Sequence, residues 1–184
     1  MDREKCQQGM QLILEALGDD LSREGLEKTP QRFAKMCEEI FSGYHASPPE
    51  INLFESPNTD SIIIIKEIPF YSMCEHHFLP FFGEMHLAYI PENQKVTGFS
   101  DIVQVVRFFS HRLQIQERLT QQIADYMNDI LKAKGLLLIS HATQLCMSMR
   151  GVKSHNARTE VIVPLGEFQK SQELRTEAIN LLKK

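Results

Sequence analysis

Apolar residues recur at helical spacing in the first third of the chain, and this pattern predicts two helices. The first is expected over residues 3–17, where apolar side chains return every three or four positions and Gly18 can end the helix. The second is expected to begin at Thr29 as the N-cap, with Pro30 in the first turn. Residues 45–60 are rich in Pro, Ser and Asn, and we expect them to form a loop.

Runs of β-branched and apolar residues in the rest of the chain predict four strands. Two helices are expected between the second and third strands, one capped by Ser100 and a longer one stopped by Gly135, and a last helix begins near Ser171. This order predicts an α+β fold with a four-stranded, mostly antiparallel sheet. Because such a sheet has two open edges, we expect a homo-oligomer. The predicted strands are residues 61–68, 84–90, 136–150 and 158–164.

Composition and charge narrow the range of partners. The 184 residues are 42% hydrophobic and 24% charged, as in ordinary globular domains, and the net charge is −4. Nucleic acid is therefore not an expected partner, because no basic excess is present. A small anionic substrate would need locally clustered Arg and Lys side chains.

Membrane insertion and disulfide bonds are not expected. The longest aliphatic run, Ile62–Ile65, is far too short to cross a bilayer, and the first ten residues have no apolar signal core. We therefore predict a cytoplasmic protein without a membrane partner. In that compartment the four cysteines are more simply interpreted as thiols or metal ligands than as disulfides.

A Cys-x-x-His spacing marks the most informative segment, Ser72–Phe78. One turn can present the Cys74 thiolate and the His77 imidazole to the same metal ion. The alternative is a buried cysteine beside surface histidines, and the spacing alone does not decide between the two.

Cys146 is the expected third ligand. In a strand it would lie on the face opposite Met147 and Met149, which we expect to face the core, together with Gln144 and Arg150. Three protein ligands leave the fourth tetrahedral position open, as in catalytic zinc sites, and two thiolates with one imidazole suit Zn²⁺. Of the other cysteines, Cys37 is expected in the core and Cys6 has no predicted role.

Several segments closely resemble the GTP cyclohydrolase I family. The resemblance extends over roughly residues 25 to 168, and Cys-Glu-His-His-Phe followed by Gln-Glu-Arg-Leu-Thr is highly specific. The matching segments are Thr29–Met36, Cys74–Phe78, Ala88–Pro91, Gln114–Gln122 and Cys146–Gly151.

The resemblance implies the tunnelling fold, in which sheets from several subunits join into a β-barrel. It also implies a homodecamer with sites at subunit interfaces, a helical region over residues 1–60 and a catalytic region over residues 61–184 within one compact domain. The implied reaction converts GTP and water into 7,8-dihydroneopterin triphosphate and formate, the first step towards folate and pterins. Zinc is the implied cofactor, and GTP or a related purine nucleotide is the implied small-molecule partner.

The resemblance also implies roles for single residues. His76 matches the family's catalytic histidine, and Glu117 matches the carboxylate that binds guanine, with Gln116 lining the same pocket. For His76 the alternatives are a histidine that only supports the metal ligands or one that lies at the surface, and for Glu117 the alternative is a carboxylate complementing a helix dipole. Four further residues match positions that bind the triphosphate, and for the first two the alternative is a solvated helix face. These four are Arg32, Lys35, Ser100 and Arg150.

Three positions depart from the family pattern. Gln144 occupies the place of a second catalytic histidine, and an amide cannot shuttle a proton near neutral pH. Asp101 and Gln104 replace a lysine and an arginine that bind phosphates, and Arg107 lies where it could compensate in part. His141 would lie on the strand face opposite Gln144 and is a poor substitute.

These departures leave alternatives open. The chain could be a specialised paralogue that acts on another guanine nucleotide or stops at the ring-opened formamide. It could also be a zinc-containing homologue that binds a purine or pterin without turnover. A pyruvoyl-tetrahydropterin synthase is less expected. A resemblance to that group would imply a zinc site of three histidines, and no such set is visible in the sequence.

Overall fold

The computed structural model describes residues 1–56 and 61–182, and all structural statements refer to these ranges. None of the helices it describes combines the length and the hydropathy needed to cross a membrane. In chain order the elements are α1 (Arg3–Leu17), α2 (Thr29–Ile40), a 3-10 turn (Ser42–Tyr44), β1 (Leu53–Glu55), β2 (Ile63–Cys74), β3 (Pro80–Ile90), β4 (Lys95–Thr97), α3 (Phe99–Ser110), β5 (Leu113–Gln114), α4 (Gln116–Leu131), β6 (Gly135–Gln144), α5 (Leu145–Ser148), β7 (Thr159–Gly166), α6 (Glu167–Lys170) and α7 (Gln172–Leu182).

Four long antiparallel strands form the main sheet, as the α+β prediction requires. The order is β5-β2-β3-β6-β7, and the two-residue β5 adds a parallel strand beside β2 that the sequence did not predict. A separate two-stranded sheet pairs β1 with β4, so the predicted loop over residues 45–60 is wrong at Leu53–Glu55. Residues 57–60 of that loop lie outside the described ranges.

Helices cover both faces of the main sheet. Because side chains alternate along a strand, Met85 and Leu87 of β3 point into the core shared with α3 and α4. Ala88 points the other way and packs with Phe168 of α6 and Ala178 of α7. The two cores are therefore separated by the sheet, and a residue's parity in β3 decides which one it enters.

The first helix confirms the predicted bounds but not the predicted burial. α1 ends at Leu17, and Gly18 follows in the left-handed conformation with a φ of 76°, where glycine is favoured. Of its apolar residues, Leu14 is buried, whereas Ile13 is 53% and Leu17 is 74% exposed. The helical periodicity is thus real, but one chain buries only part of this apolar face.

Two predicted N-caps are wrong by one or two residues. Thr29 is already helical and Lys28 is the N-cap, because the preceding turn continues directly into α2 through a hydrogen bond from Thr29 N–H to Leu26 O. Ser100 likewise lies inside α3, whose N-cap is the extended Gly98. Cys37 is buried on α2, which confirms its expected place in the core.

The end of α4 also differs from the prediction. Lys132 adopts a left-handed φ of 47° and closes the helix through its N–H to Asn128 O. Gly135 therefore does not stop the helix but begins β6, where it pairs with Gly166.

Candidate metal centre

A tight turn after β2 brings the first two candidate ligands together. β2 ends at Cys74, and Phe78 takes a left-handed φ of 55° as the chain reverses. Phe78 N–H donates to Cys74 O, and Cys74 N–H donates to Leu79 O, both at 2.9 Å. This closed turn carries His77 back towards the Cys74 thiol, as the Cys-x-x-His spacing predicts.

Cys146 reaches the same place from a short helix, so the prediction of a strand over residues 136–150 is wrong beyond Gln144. The segment satisfies its own backbone, since Met149 N–H donates to Leu145 O. Strand alternation therefore fails, and Met149 is 60% exposed whereas Ser148 is buried. Cys146 is nevertheless positioned by the sheet, because β6 pairs with β3 up to Gln144, just before α5.

The Cys74 and Cys146 sulfurs and one ring nitrogen of His77 all lie within 4.8 Å of one another. Cys74 is buried, Cys146 is half-buried and His77 is exposed. Burial and the adjacent Cys74 thiol raise the pKa of Cys146, while Arg150 lowers it. Two neighbouring thiols resist ionising together without a cation, and a metal ion between them removes that penalty.

An ion pair, which the sequence did not predict, ties this turn to α4. Arg118 donates to Glu75 Oε2 at 2.6 Å, and both side chains are partly exposed. Glu75 N–H also donates to Gln114 O at 3.1 Å, next to the start of α4. Both residues lie within the family-like segments, but only their contact in space reveals that they act together.

His76 lies beside the metal group on the exposed side of the turn. Its Nδ1 is 3.9 Å from the Cys74 sulfur, and its Nε2 is 4.0 Å from Glu75 Oε1. The imidazole thus adjoins both a candidate ligand and a carboxylate while its edge remains open to solvent.

Gln144, two residues before Cys146, is held by other side chains. Its amide donates to Gln116 Oε1 at 3.0 Å and lies 3.4 Å from Thr159 Oγ1. Thr159 Oγ1 also donates to Gln116 Oε1. His141 contacts Glu160 on the other face of the sheet, which agrees with its predicted orientation away from Gln144.

Gln116 links α4 to two strands. Its side-chain nitrogen donates to Ser140 O at 3.0 Å and to Thr159 O at 3.2 Å, and the residue is only 3% exposed. Thr120 adds a hydrogen bond to Gln116 O at 2.7 Å. This buried network fixes the first turn of α4, from which the neighbouring Glu117 side chain extends into solvent.

Asp101, one of the departures from the family pattern, has a structural use in this chain. Its Oδ2 accepts hydrogen bonds from Asn52 N–H at 3.0 Å and from Thr97 Oγ1 at 3.4 Å. The carboxylate therefore fastens the segment before β1 and the end of β4 to the first turn of α3.

The remaining candidate residues are exposed on α2 and α3. Ser100 is exposed at the start of α3, and Arg107 is exposed near its end, about 10 Å further along the axis. Arg107 lines a surface cavity of about 350 Å³ together with Glu39 and Tyr71. Within the described ranges, no hydrogen bond or ion pair links Arg107 or the exposed α2 residues Arg32 and Lys35 to the metal group.

Comparison with known proteins identifies the family. The sequence profile described as GTP cyclohydrolase I matches residues 6–183. This chain belongs to the GTP cyclohydrolase I family. Its enzyme class is accordingly a hydrolase of the GTP cyclohydrolase I type, and the family resemblance predicted from the motifs is confirmed.

Individual relatives match over the whole chain. GTP cyclohydrolase 1 of Clostridium kluyveri is 44% identical over 184 residues, covering 100% of this chain and 99% of the relative. GTP cyclohydrolase 1 of Carboxydothermus hydrogenoformans is 44% identical and covers 99% and 95%. GTP cyclohydrolase 1 of Pelotomaculum thermopropionicum is 45% identical and covers 99% and 97%.

Proposed function

We propose that this chain carries out the zinc-dependent hydrolysis of the guanine imidazole ring of GTP. In this reaction GTP and water yield 7,8-dihydroneopterin triphosphate and formate. The observation that carries the proposal is the meeting of Cys74, His77 and Cys146 within 4.8 Å in a member of the GTP cyclohydrolase I family. Further support comes from His76, which adjoins these residues.

The donor set fits zinc. Two sulfurs and one imidazole nitrogen suit Zn²⁺, and a set of three protein ligands leaves a coordination position for a small molecule. When bound, zinc supplies Lewis acidity, which lowers the pKa of water towards neutrality.

We assign proton transfer during imidazole ring opening to His76. Imidazole is the side chain that most often transfers protons in enzymes, and the position of His76 Nδ1 3.9 Å from the Cys74 sulfur would place the ring beside the reacting end of the substrate. The Glu75–Arg118 pair would hold the turn, and therefore His76, in a fixed orientation relative to α4.

Guanine recognition is assigned to Glu117. A carboxylate accepts two hydrogen bonds from guanine N1–H and the 2-amino group, which adenine does not offer. The buried Gln116 network supports this role, because it fixes the helical turn that presents Glu117. Gln116 itself would help line the guanine pocket, and Gln144 would stand among the catalytic residues at the position of the second histidine.

Binding of the triphosphate is assigned to four cationic side chains and one hydroxyl around the site. Arg150 lies close enough to the metal group to lower the pKa of Cys146. Ser100, Arg32, Lys35 and Arg107 would join the site across subunit contacts in a homodecamer, in which the exposed apolar face of α1 and the sheet edges would be covered. We place this assembly in the cytoplasm.

A specialised paralogue is the second candidate function. The Asp101 carboxylate accepts hydrogen bonds from Asn52 and Thr97 at the start of α3, where the family pattern has a phosphate-binding cation. Gln104, at the position of the second cation, is uncharged. An anion with fewer phosphates would be less affected by this change. Gln144 would in addition slow the steps that follow ring opening.

A substrate comparison tests both functions. The full chain, stripped of metal and reloaded with zinc, is incubated with GTP, GMP and guanosine, and formate and the purine products are quantified by mass spectrometry. We expect zinc-dependent formate release with GTP as the preferred substrate. A preference for GMP or guanosine, or accumulation of the formamide, would favour the paralogue. The absence of any ring-opened product would contradict both.

A further inference from the structure

A second cluster of metal-binding side chains lies on the main sheet, away from the group at Cys74. Ligand atoms of Glu84, His86 and His141 lie within 4.8 Å of one another. The register explains why they meet, because Glu84 of β3 pairs directly with His141 of β6. Glu84 and His86 are two residues apart and therefore share a face of β3.

The sheet separates this cluster from the first metal group. Cys74 belongs to the core that includes Met85 and Leu87 on the helix α3–α4 side. Glu84 and His86 have the parity of Ala88, which faces the opposite core. The two candidate ligand sets have no residue in common, and each can be altered alone.

Carboxylates surround the two imidazoles. His86 Nε2 lies 3.5 Å from Glu84 Oε1, and His141 Nε2 lies 3.5 Å from Glu160 Oε1. Glu160 pairs with His141 across β6 and β7, so the four side chains form a row over three strands. The rings of His86 and His141 are 5.1 Å apart between centroids.

His86 is suited to bind a metal ion as a neutral ligand. The His86 side chain is only 7% exposed, and this burial lowers its pKa, although Glu84 acts in the opposite direction. The neutral ring keeps a lone pair for a metal ion. With two neutral imidazoles, Glu84 and Glu160 leave the cluster two negative charges, which match a divalent cation.

We propose that Glu84, His86 and His141 form a second site for a divalent transition-metal ion, with Glu160 supplying a further oxygen ligand. Two imidazoles and one or two carboxylates are a donor set typical of zinc and of neighbouring metals such as cobalt. The proposal stands on this cluster alone and does not depend on the reaction at the other face.

An adjoining cavity gives an ion a path to the cluster. It has a volume of about 290 Å³ and is lined by Glu84, His141 and Arg158, among others. Gly83 borders it, and a side chain there would collide with His141 O, since a Cβ would lie 1.9 Å away. Arg158 is exposed and repels a cation, so we expect the ion to bind at the buried His86 side of the cavity.

Metal uptake should disturb one backbone hydrogen bond. His86 Nδ1 accepts from Glu67 N–H at 3.3 Å, and Glu67 lies in a bulge of β2 with a φ of 57°. If Nε2 binds the ion, the ring proton moves to Nδ1, which then no longer accepts. The Glu67 amide therefore reports on occupation of this site.

Cobalt titration of the metal-stripped full chain tests the proposal. We expect two ions per chain, of which one shows the thiolate-to-cobalt absorption of the Cys74 group. In His141→Asn and in Glu84→Gln we expect only that first ion, with its thiolate absorption unchanged. His155→Asn, which removes an exposed histidine elsewhere, serves as the control and should still bind two. Binding of a single ion by the parent chain, or of two by both cluster variants, would overturn the proposal.

A second measurement reports on His86 itself without substituting it. In Cys146→Ser, cobalt or zinc should still bind at the cluster and should accelerate hydrogen exchange of the Glu67 amide at least several-fold. The same addition to Cys146→Ser combined with His141→Asn should leave that amide unchanged. Unchanged exchange in the single variant at saturating metal would count against the site.

Discussion

Both the turn at Cys74–Phe78 and the first turn of α3 lie in segments where the family has characteristic residues. The first contains the expected residues, whereas the second departs from them. At the first, the candidate ligands and His76 are present and meet within one chain. At the second, Asp101 stands where a cation is expected and binds Asn52 and Thr97 instead. Under the proposed function, this contrast predicts that ring opening is retained while binding of the anionic end of the substrate differs from the family pattern.

The difference also has a structural reason. Cys74 and Cys146 are positioned by the central strands β2, β3 and β6, so their geometry follows from the core of the fold. Asp101 lies at a helix start beside the small sheet of β1 and β4. At such a position a single substitution can replace a cation by a side chain that forms local hydrogen bonds instead. A site built at the rim of the fold is therefore easier to alter than one built on its main sheet.

Breaking the metal group should produce the largest effect. In Cys146→Ser we expect zinc affinity to fall by more than about 100-fold, since loss of residues behind a ligand already costs 10- to 100-fold. Formate release from GTP should fall below detection. Metal analysis and a formate assay check this, and Cys6→Ser, a partly buried thiol on α1, is the matched control. Full zinc content in Cys146→Ser would remove Cys146 from the ligand set.

Altering base recognition should have the next largest effect. Glu117→Gln replaces a charged acceptor, and hydrogen bonds to charged groups are worth about 1.5–3 kcal/mol. We expect kcat/KM for GTP to fall about 10- to 100-fold with zinc content unchanged. Asp129→Asn, an exposed carboxylate further along α4, should leave kcat/KM unchanged. Equal losses in both variants would argue for a general charge effect.

Restoring a cation at α3 should sharpen the comparison. Gln104→Arg adds one positive charge at an exposed position, and such a contact is worth about 1 kcal/mol or less. We expect the KM for GTP to fall about three- to fivefold and the KM for GMP to change less. Gln8→Arg on α1 adds the same charge elsewhere and should have no effect. An unchanged KM for GTP would show that α3 does not approach the phosphates.

The smallest expected effect concerns pH and the other end of α3. Burial and the nearby Arg107 lower the pKa of His111, while Glu39 raises it, and Ser42 Oγ lies 3.0 Å from its Nδ1. The folded chain therefore binds a proton less readily than the unfolded chain. Stability from this residue is present above the ordinary histidine pKa of about 6.5 and is lost as the pH falls below it.

Thermal unfolding between pH 7.5 and 5.5 measures this contribution. We expect the unfolding midpoint of both proteins to fall as the pH decreases over this range. The fall in His111→Asn should be smaller than the fall in the parent chain by up to about 3 °C. His45→Asn, at an exposed position, should show the same fall in midpoint as the parent chain. The pKa of His86 is also lowered, so His86 adds the same pH dependence of stability to the parent and to both variants. A steeper fall in His111→Asn would contradict the assigned direction.

Local patterns predicted those parts of the site that lie close together in the chain. The Cys74–His77 spacing describes one turn, and the structure contains that turn. Cys146 was placed beside these residues on an assumed strand, whereas it lies on α5, because β6 and its pairing with β3 end at Gln144. The prediction reached the right place with the wrong local conformation.

Contacts between distant segments were not predictable from one sequence. The amide network of Gln116, Gln144 and Thr159 requires α4, β6 and β7 to be neighbours, and the Glu75–Arg118 pair joins residues 43 positions apart. Asp101 was interpreted only as a lost cation, since its partners Asn52 and Thr97 become adjacent through the pairing of β1 with β4. These features depend on tertiary packing, which the pattern of residues within any one segment does not reveal.

X-ray absorption at the zinc edge tests the central claim most directly. The metal-stripped chain is loaded with less than one equivalent of zinc, so that the sulfur-containing group fills first. We predict two sulfur neighbours at about 2.3 Å and an imidazole nitrogen at about 2.0 Å. A first shell of only nitrogen and oxygen in the parent chain would contradict the assignment of Cys74, His77 and Cys146 as the metal centre.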